Sequence, residues 1–511
     1  MRCYMVRSRM SWLLKFNHHC LPHNTGEHEV RPYTPPLLRC LILWMGCLCL
    51  TGCMTITNQI QNEVTAVKNY PAAPDGKQAV STSPPMVNIH DYQSVEDSPL
   101  RPYQRSDLAV AVAVSGGGYR ASNLTAGVLL GLEKYREPTL KGNLLEEVDY
   151  FSTVSGGGFA VGYYLAHLNQ FLKSNSDQNP LPHYSFAETL AESLGTPAVL
   201  NNNNIYMGTG NVLNINQENN IELGVDHYDS YETTINDGIL NSLNGGDLTL
   251  GDSFIALGSK EKPRLPLWVV NATIYQNMAI MPFTPKVLEA YQVNSYEHLG
   301  QLNQNLNQNN FPYSVALAAS SSVPFAMRSV TLGSSACSGG CYLQLFDGGL
   351  SDNLGVVSAY DMLMQDPAPM KLLIVIDAGK EHPSAFSQNQ TPPGVFSLLW
   401  QVMNSGIEAS RILVRNNVRQ FASALLCQSG ASNVLVAYLD LSHDPEVDQI
   451  PTSLTLTSEQ QQELLQVGQS LVAQNVTLQQ ALPALLNGNH SVGACPAQGP
   501  KNGAYQVSML D

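Results

Sequence analysis

The hydrophobic pattern of the chain becomes regular just after residue 107. Residues 108–114 form an uninterrupted apolar run, the glycine-rich stretch 115–118 ends it, and residues 122–136 carry apolar side chains at helical spacing. A continuous apolar run rich in β-branched residues is typical of a strand covered on both faces. The pattern therefore predicts a strand, a glycine loop and a helix, in that order.

The same unit recurs further along the chain. Residues 148–154 predict a second buried strand, residues 155–158 a glycine turn, and residues 159–172 a helix. Two more apolar runs, at 267–272 and 371–377, predict further strands. Strands that alternate with helices favour an α/β fold with a mostly parallel central sheet and helices on both faces.

The pattern also divides the chain into regions. The core is predicted over 106–380, and an asparagine-rich segment at 196–265 without clear periodicity interrupts it as an insertion beside the sheet or as a lid. Residues 381–511 are predicted to be a mainly helical extension that packs on the core, with helical spacing over 395–427 and 457–487.

The N-terminal part of the chain has the pattern of an export signal. Residues 40–50 are an apolar run of 11 residues that follows Arg39. This length fits the apolar region of a signal peptide and falls short of the about 20 residues that span a bilayer. The run ends in Leu50-Thr51-Gly52-Cys53, which resembles the bacterial lipobox. The resemblance implies removal of residues 1–52 and acylation of Cys53; the alternative is a buried apolar segment that ends in Gly-Cys.

Two further predictions concern this region. A signal that starts at Met1 has a long N-terminal part, whereas a start at Val30 leaves a 23-residue signal, so we hypothesise that residues 1–29 are untranslated. Residues 53–105 are proline-rich and predict a tether. The residue after Cys53 is Met54 and not Asp, which resembles lipoproteins that are sorted to the outer membrane. We therefore expect an exported bacterial lipoprotein of the outer membrane that faces the periplasm or the cell surface.

Charge is distributed unevenly along the 511 residues. The first 52 residues carry six basic and two acidic residues, and the remainder carries 20 basic and 39 acidic ones. Because neutralising phosphates requires clustered Lys and Arg, this acidic body excludes nucleic acid as the main partner. Docking on an anionic bilayer by charge alone is disfavoured for the same reason.

Cysteine usage agrees with export. Five of the ten cysteines precede Cys53, so four thiols remain in the mature body. In an oxidising compartment they allow three pairings, of which we favour Cys337–Cys341 together with Cys427–Cys495. A metal site is the alternative, but no His or Asp with suitable spacing lies nearby. The sequence predicts no cofactor and no calcium loop.

Ser155 is the first candidate for chemistry. It lies where a buried strand turns into a helix, at the edge of a parallel sheet where open α/β folds bind ligands. The glycines that follow let the turn close and let a substrate approach the backbone. Thr153 occupies the first glycine position of the Gly-x-Ser-x-Gly elbow, and a Ser before three glycines is often only a turn.

The loop at Gly116, Gly117 and Gly118 is a second candidate. Successive glycines can direct backbone N–H groups at one point, as an oxyanion hole requires. A phosphate-cradling loop is the alternative, although Ala121 stands at the third glycine position of a dinucleotide fingerprint. Arg120 either pairs with a carboxylate or holds a substrate phosphate.

Asp347 is the third candidate, because it ends an apolar stretch and two glycines follow it. The alternative is a β-turn, in which Asp-Gly is common. Asp352 and Asn353 are better explained as turn or helix-cap residues. No histidine stands in a strand-end motif; His167 is interpreted as a packing or surface residue, and His382 leaves a Ser–His–Asp arrangement open.

These motifs, in this order, resemble those of the patatin-like phospholipases and the related cytosolic phospholipase A2 catalytic domain. The likeness covers about residues 107–380 and includes Ala318-Ala319-Ser320-Ser321 before Val323-Pro324. It implies a Ser–Asp dyad without histidine, with Ser155 as nucleophile and Asp347 as base. It also implies an oxyanion hole at residues 116–118 and binding of a substrate phosphate by Arg120.

The resemblance leads to one expected function and two alternatives. The expected function is a membrane-anchored acyl hydrolase of phospholipase A or lysophospholipase type, whose partner is membrane phospholipid or lysophospholipid. A carboxylesterase or acylglycerol lipase on the same dyad is the first alternative. A non-catalytic lipoprotein that binds lipid is the second.

Overall fold

A computed structural model describes residues 87–192, 213–215, 221–223 and 248–488, with short gaps. The gaps are residues 96–97, 100, 299–300, 305, 325–328, 338–339, 381–394, 429–432, 443 and 454–455. The predicted signal peptide, Cys53 and most of the tether lie outside the described residues. Within the described part of the chain, no helix is both long enough and apolar enough to cross a bilayer.

The described chain alternates strands and helices. The strands are β1 Leu108–Val114, β2 Val148–Val154, β3 Leu213–Ile215, β4 Ile221–Leu223, β5 Leu267–Ile274, β6 Ile280–Phe283, β7 Val293–His298, β8 Gln301–Gln304, β9 Val330–Ser334, β10 Cys341–Asp347, β11 Met370–Asp377 and β12 Asn433–Asp440. The helices are α1 Gly118–Lys134, α2 Gly157–Ser174, α3 Phe186–Glu192, α4 Leu250–Ser253, α5 Pro285–Ala290, α6 Tyr313–Ser320, α7 Gly349–Asp352, α8 Val356–Gln365, α9 Val395–Gln428, α10 Pro445–Asp448, α11 Ser458–Gln474 and α12 Leu482–Leu486. Thr477–Ala481 is a π-helical turn, and Ile89–Asp91 and Gln308–Asn310 are short 3₁₀ helices.

One large sheet organises the domain. Its strand order is β12-β11-β1-β2-β5-β10-β9-β7-β8, with β6 paired to β5. The five strands from β12 to β5 are parallel, and β1, β2, β5 and β11 are buried along their whole length. Helices cover both faces, which confirms the predicted α/β class. The strands beyond β5 are antiparallel, a feature that the hydrophobic pattern does not indicate.

The C-terminal region contains a strand that is absent from the predicted, mainly helical extension. Asn433–Asp440 pairs in parallel with all of β11, so the sheet continues beyond residue 380. The run Val434-Leu435-Val436-Ala437 is a strand signal, but it stands between two long helical patterns. Further along the chain, α11 packs against α1, the helix that follows the first glycine loop.

Two predicted boundaries also change. Val87, Tyr92 and Val95 are buried, so residues from 87 onward belong to the folded domain and not to the predicted tether. Leu250 and Phe254, near the end of the predicted 196–265 insertion, are buried in the core as well. Short stretches of this kind gain their burial from distant neighbours, which local periodicity cannot report.

Candidate active site

Ser155 lies in a sharp turn between β2 and α2. Its backbone φ is +50°, in the left-handed region that side chains other than glycine seldom adopt. Strain of this kind persists where the surrounding structure imposes it, and it clusters at functional sites. Gly156 must be glycine here, since a Cβ would lie 2.2 Å from the carbonyl oxygen of Gly118 in the other glycine loop.

Thr153 does not prevent the turn. Its Oγ1 accepts a hydrogen bond of 3.0 Å from the indole Nε1 of Trp268 on the neighbouring strand β5. Trp268 is fully buried and its ring stacks on Tyr313 of α6. The side chain at the first elbow position therefore joins β2 to the core and leaves the Ser155 turn intact.

The structure brings Ser155 and Asp347 together across 192 residues of sequence. The Ser155 hydroxyl donates a hydrogen bond of 2.7 Å to Oδ2 of Asp347. Both residues are buried, with 6% and 3% of their surfaces exposed. Asp347 ends β10, which pairs with β5 next to β2. A hydroxyl that donates directly to a carboxylate is the geometry that a Ser–Asp pair requires.

The Asp347 carboxyl group is oriented by backbone groups. Its Oδ1 accepts a hydrogen bond of 2.8 Å from the N–H of Gly349, and its own N–H donates to the carbonyl of Ser322. Burial raises the pKa of Asp347 to about 6, and the bonds from Gly349 and Ser155 oppose that rise. A carboxyl group with this pKa is a stronger base than an ordinary aspartate and is still ionised at neutral pH.

Two supporting residues position the Ser155 turn. The Ser155 N–H donates to Ser320 Oγ at 2.8 Å, and Ser320 Oγ donates in turn to the carbonyl of Asn271 at 2.5 Å. The Asn271 side chain binds Ser152 Oγ and the carbonyl of Thr153. Ser320 belongs to the segment already noted for its resemblance, but its sequence alone indicates no role for it. Asn271 lies inside an apolar strand, where a buried amide is itself a signal.

Within the first glycine loop, only part of the predicted oxyanion hole is available. The Gly116 N–H donates to the carbonyl of Asn353 at 3.0 Å, so it cannot also bind an oxyanion. The N–H groups of Gly117 and Gly118 have no acceptor among the described residues. Gly118 has φ +58°, a conformation that glycine adopts without strain. These two N–H groups are the candidate donors, and Asn353 supports the loop through its backbone.

Arg120 does not lie at a substrate mouth. Its side chain is fully buried, and Nη2 forms an ion pair of 3.0 Å with Asp448, which is equally buried. The same nitrogen donates to the carbonyl of Gly379 at 3.3 Å. Arg120 therefore pairs with a carboxylate, which is the alternative stated for it above, although this carboxylate lies in α10 and not in the helix of Arg120 itself. The prediction that Arg120 holds a substrate phosphate has no support in this arrangement.

The C-terminal region contributes directly to the glycine loop. The carbonyl of Ser453 accepts the Tyr119 N–H at 2.9 Å and lies against Gly118, where a Cβ would come within 2.6 Å of it. Together with the Asp448–Arg120 pair, this contact supports the loop from residues 448–453. Nothing in the local sequence of this segment indicates that role, because both contacts span more than 300 residues.

The structure also describes several of the remaining predicted residues. Cys337 and Cys341 form a disulfide with a Cα–Cα distance of 5.6 Å. The second predicted pair involves Cys495, which lies outside the described residues, as does His382. The Nδ1 of His167 is hydrogen-bonded to the carbonyl of Tyr163 in its own helix, so His167 has a packing role. Asp352 accepts the N–H groups of Leu354 and Val357 at the start of α8, as a cap residue does.

Comparison with known proteins gives one family match. Residues 112–360 match the family described as patatin-like phospholipase. Lysophospholipase 3 of Saccharomyces cerevisiae is 35% identical over 95 residues, which are 18% of this chain and 14% of the yeast protein. Human GIVD cytosolic phospholipase A2 is 13% identical and has a TM-score of 0.35, covering 75% of this chain and 60% of the human chain. Its complex with methyl gamma-linolenyl fluorophosphonate and terbium chloride has a TM-score of 0.34, at 13% identity, and covers 76% and 61%.

The matched range begins inside β1 and ends inside α8. It therefore includes both glycine loops, the Ser155 turn, the buried Asn271 and the Asp347 turn. It excludes β11, β12 and the segment that supports Arg120 and Gly118. The match to the patatin-like phospholipase family is therefore carried by residues 112–360, just under half of this chain.

Proposed function

We propose that this chain is a lipid acyl hydrolase of phospholipase A or lysophospholipase type, with Ser155 as nucleophile and Asp347 as base. The observation that carries the proposal is the 2.7 Å hydrogen bond from the Ser155 hydroxyl to Asp347, made in a strained turn. The match of residues 112–360 to the patatin-like phospholipase family supports an ester of a lipid as the substrate. The short match to a yeast lysophospholipase agrees with that substrate class.

In the proposed reaction, Ser155 Oγ attacks the ester carbonyl carbon while Asp347 Oδ2 accepts the hydroxyl proton. The carbonyl oxygen becomes an oxyanion, which the N–H groups of Gly117 and Gly118 stabilise. Each such donor contributes roughly 2.7–4 kcal/mol to the transition state. The C–O ester bond then breaks, and the leaving alcohol takes the proton from Asp347. Water then attacks the acyl-enzyme while Asp347 removes its proton. The bond from the acyl carbon to Ser155 Oγ breaks, Asp347 returns the proton to Ser155 Oγ, and the fatty acid leaves.

The raised pKa of Asp347 predicts how activity depends on pH. Only the ionised carboxylate can accept the proton, and burial raises its pKa to about 6. We therefore expect kcat/KM to be level above that pH and to fall by about tenfold per pH unit well below it. The measurement is a pH profile with a short-chain soluble ester, which avoids effects of pH on vesicles.

Asp361 offers a matched control for the pH profile. Burial also raises the pKa of Asp361 to about 6, but this residue lies in the middle of α8 and is not part of the Ser155–Asp347 pair. The Asp361→Asn variant should keep both the activity and the acid limb of the profile. An acid limb that disappears in Asp361→Asn would show that the profile does not report on Asp347.

The substrate class is tested by fatty-acid release. The full chain is incubated with vesicles of phosphatidylcholine containing lysophosphatidylcholine, with emulsified triacylglycerol, and with a soluble ester. The proposal is supported if fatty acid is released from phospholipid or lysophospholipid and Ser155→Ala abolishes this release. Hydrolysis confined to triacylglycerol or the soluble ester would identify a lipase or carboxylesterase instead. No hydrolysis of any substrate by the folded chain would favour a lipid-binding protein.

We also propose that an acyl anchor at Cys53 holds the enzyme at its substrate, in the outer membrane. The support is the apolar run at 40–50 followed by Leu50-Thr51-Gly52-Cys53. Cells grown with a labelled fatty acid should incorporate the label into the wild-type chain and not into Cys53→Ser. Label that persists in Cys53→Ser, or a wild-type chain that fractionates away from outer membranes, would contradict the anchor.

A further inference from the structure

Three large hydrophobic side chains are exposed at the end of the β5–β6 hairpin and on the neighbouring strand β10. Tyr275 and Met278, in the loop between β5 and β6, are 62% and 50% exposed, and Tyr342 on β10 is 43% exposed. The Tyr275 N–H donates to the carbonyl of Gln344, and the Gln276 side chain donates to the carbonyl of Tyr342. These bonds join the β5–β6 loop to β10, and we call the three exposed side chains the hairpin patch (Tyr275, Met278 and Tyr342).

The hairpin patch lies at the end of the sheet that carries the candidate active site. Strand β5 runs parallel to β2, and its register places Asn271 beside Val154 and Ala272 beside Asp347. The chain then continues past the end of β2. At about 3.3 Å per residue, Tyr275 lies roughly 10 Å beyond the Asp347 level and Tyr342 roughly 17 Å beyond it.

The two chain segments that carry the hairpin patch contain no formally charged residue. Residues 265–285 and 329–346 include no Asp, Glu, Lys or Arg, in a chain with a formal net charge of −15. Burying an unpaired charge against lipid is unfavourable, so an uncharged face is the one that an acidic protein can place on a bilayer. Tyrosine suits this position, because its ring is apolar and its hydroxyl group binds water or headgroups.

The conformation of Met278 adds an independent observation. Its φ is +56°, in the left-handed region where glycine or asparagine is the ordinary residue. Methionine at this position places an exposed apolar side chain at the tip of the hairpin at a conformational cost. A surface turn that binds nothing has no need of a methionine in this conformation, so the residue indicates an interaction at the tip.

We propose that the hairpin patch inserts into the headgroup region of an uncharged phospholipid bilayer and so directs the Ser155 end of the sheet at the membrane. The inference rests on the proposed lipid substrate and names the surface by which the site reaches it. Partitioning of the patch into lipid removes apolar area from water and needs no basic residues.

The test measures binding to sucrose-loaded phosphatidylcholine vesicles by sedimentation. The parent protein is the full chain with Cys53→Ser, which removes the proposed acylation site, and Ser155→Ala, which removes the proposed nucleophile. Adding Tyr275→Ser, Met278→Asn and Tyr342→Ser should weaken vesicle binding by about tenfold or more. The matched control is Leu257→Ser. Leu257 is 70% exposed, lies outside both uncharged segments and should leave binding unchanged.

A second experiment keeps the hairpin patch apolar and measures its contact with lipid directly. Tryptophan emission from a Tyr275→Trp variant should be quenched by vesicles with brominated acyl chains, whereas Leu257→Trp should add no quenching. Replacing part of the phosphatidylcholine by phosphatidylglycerol should weaken binding at low salt, since the body of the protein is acidic. Equal binding by the patch and Leu257→Ser variants, or no quenching at Tyr275→Trp, would overturn the inference.

Failure of the inference can be separated from failure of the proposed function. Vesicle binding is measured without catalysis, and hydrolysis of a soluble ester is measured without a membrane. If the parent protein does not bind vesicles while the chain with Ser155 intact hydrolyses the soluble ester, the hairpin patch alone is overturned, and a protein partner for it is indicated. If the parent protein binds vesicles but the chain with Ser155 intact hydrolyses no ester, the proposed function alone is contradicted.

Discussion

Replacing Ser155 by alanine is expected to lower kcat/KM for ester hydrolysis by at least about four orders of magnitude. The reason is that the acyl-enzyme cannot form without the hydroxyl that donates to Asp347. Fatty-acid release is the measurement, on both vesicles and a soluble ester. The matched control is Ser176→Ala, an exposed serine just after α2, which should retain full activity. Activity that survives in Ser155→Ala would mean that another residue is the nucleophile.

The Asp347→Asn variant should be as inactive as Ser155→Ala while remaining folded. Its amide has nearly the same shape as the carboxylate but cannot accept the proton of Ser155. Because both side chains act as one unit, the double variant should lose little more than either single variant. If the fold-decrease in kcat/KM of the double variant equals the product of the two single-variant decreases, the two residues act independently.

The stability of the Asp347→Asn variant at different pH values shows whether its inactivity comes from the missing base or from a disturbed fold. Burial raises the pKa of Asp347 from near 3.8 to about 6, so the folded state favours the protonated carboxyl. The stability that this group contributes is fully present below its unfolded pKa and is lost as pH rises through about 6. The amide of the Asp347→Asn variant cannot ionise, so this variant should melt at a higher temperature than wild type above that pH. Thermal unfolding at two pH values measures the difference.

The second large effect is expected from the buried Arg120–Asp448 pair. Replacing Arg120 by methionine removes the guanidinium group that lies 3.0 Å from the carboxylate of Asp448, a carboxylate with no exposed surface. Removing one partner of such a pair lowers the free energy of unfolding by about 3–5 kcal/mol. Urea unfolding of Arg120→Met measures the loss. The double variant Arg120→Met, Asp448→Leu should recover most of it, because neither charge of the pair then remains buried.

Controls distinguish this structural role from binding of a substrate phosphate. The exposed pair Lys286–Glu289 should tolerate Lys286→Met without a measurable change in stability. In the double variant of Arg120 and Asp448, the ratio of phospholipid to neutral-ester hydrolysis should stay the same as in wild type. A selective loss of phospholipid hydrolysis would restore the phosphate-binding role for Arg120.

Much of the fold could be predicted because its signals are local. Buried parallel strands appear as continuous apolar runs, and each of the two strand–glycine–helix units occupies one short stretch. The antiparallel strands beyond β5 and the strand Asn433–Asp440 were not predicted. Their pairing depends on partners far away in sequence, and short apolar runs do not distinguish a strand from a helix segment.

The candidate site shows the same division. Ser155 and Asp347 stand in glycine-rich turns at strand ends, and such turns are visible in sequence as candidate sites of chemistry. Sequence alone could not show that Gly116 is already hydrogen-bonded to Asn353, that Ser320 and Asn271 hold the turn, or that Arg120 is buried. Each of these facts is a contact between separate elements.

By itself the sequence determined the parallel α/β core, the identity of the Ser155 and Asp347 candidates and the acidic character of the body, because periodicity, turn chemistry and charge are properties of short segments or of composition. Only the tertiary structure decided that Ser155 lies 2.7 Å from Asp347, that the carboxyl group is buried enough to raise its pKa, and that Asp448 and Ser453 support the glycine loop. A hydrogen bond tolerates changes of only a few tenths of an ångström in its donor–acceptor distance, and the burial of a side chain depends on every neighbouring element. Neither quantity exists until the sheet has assembled.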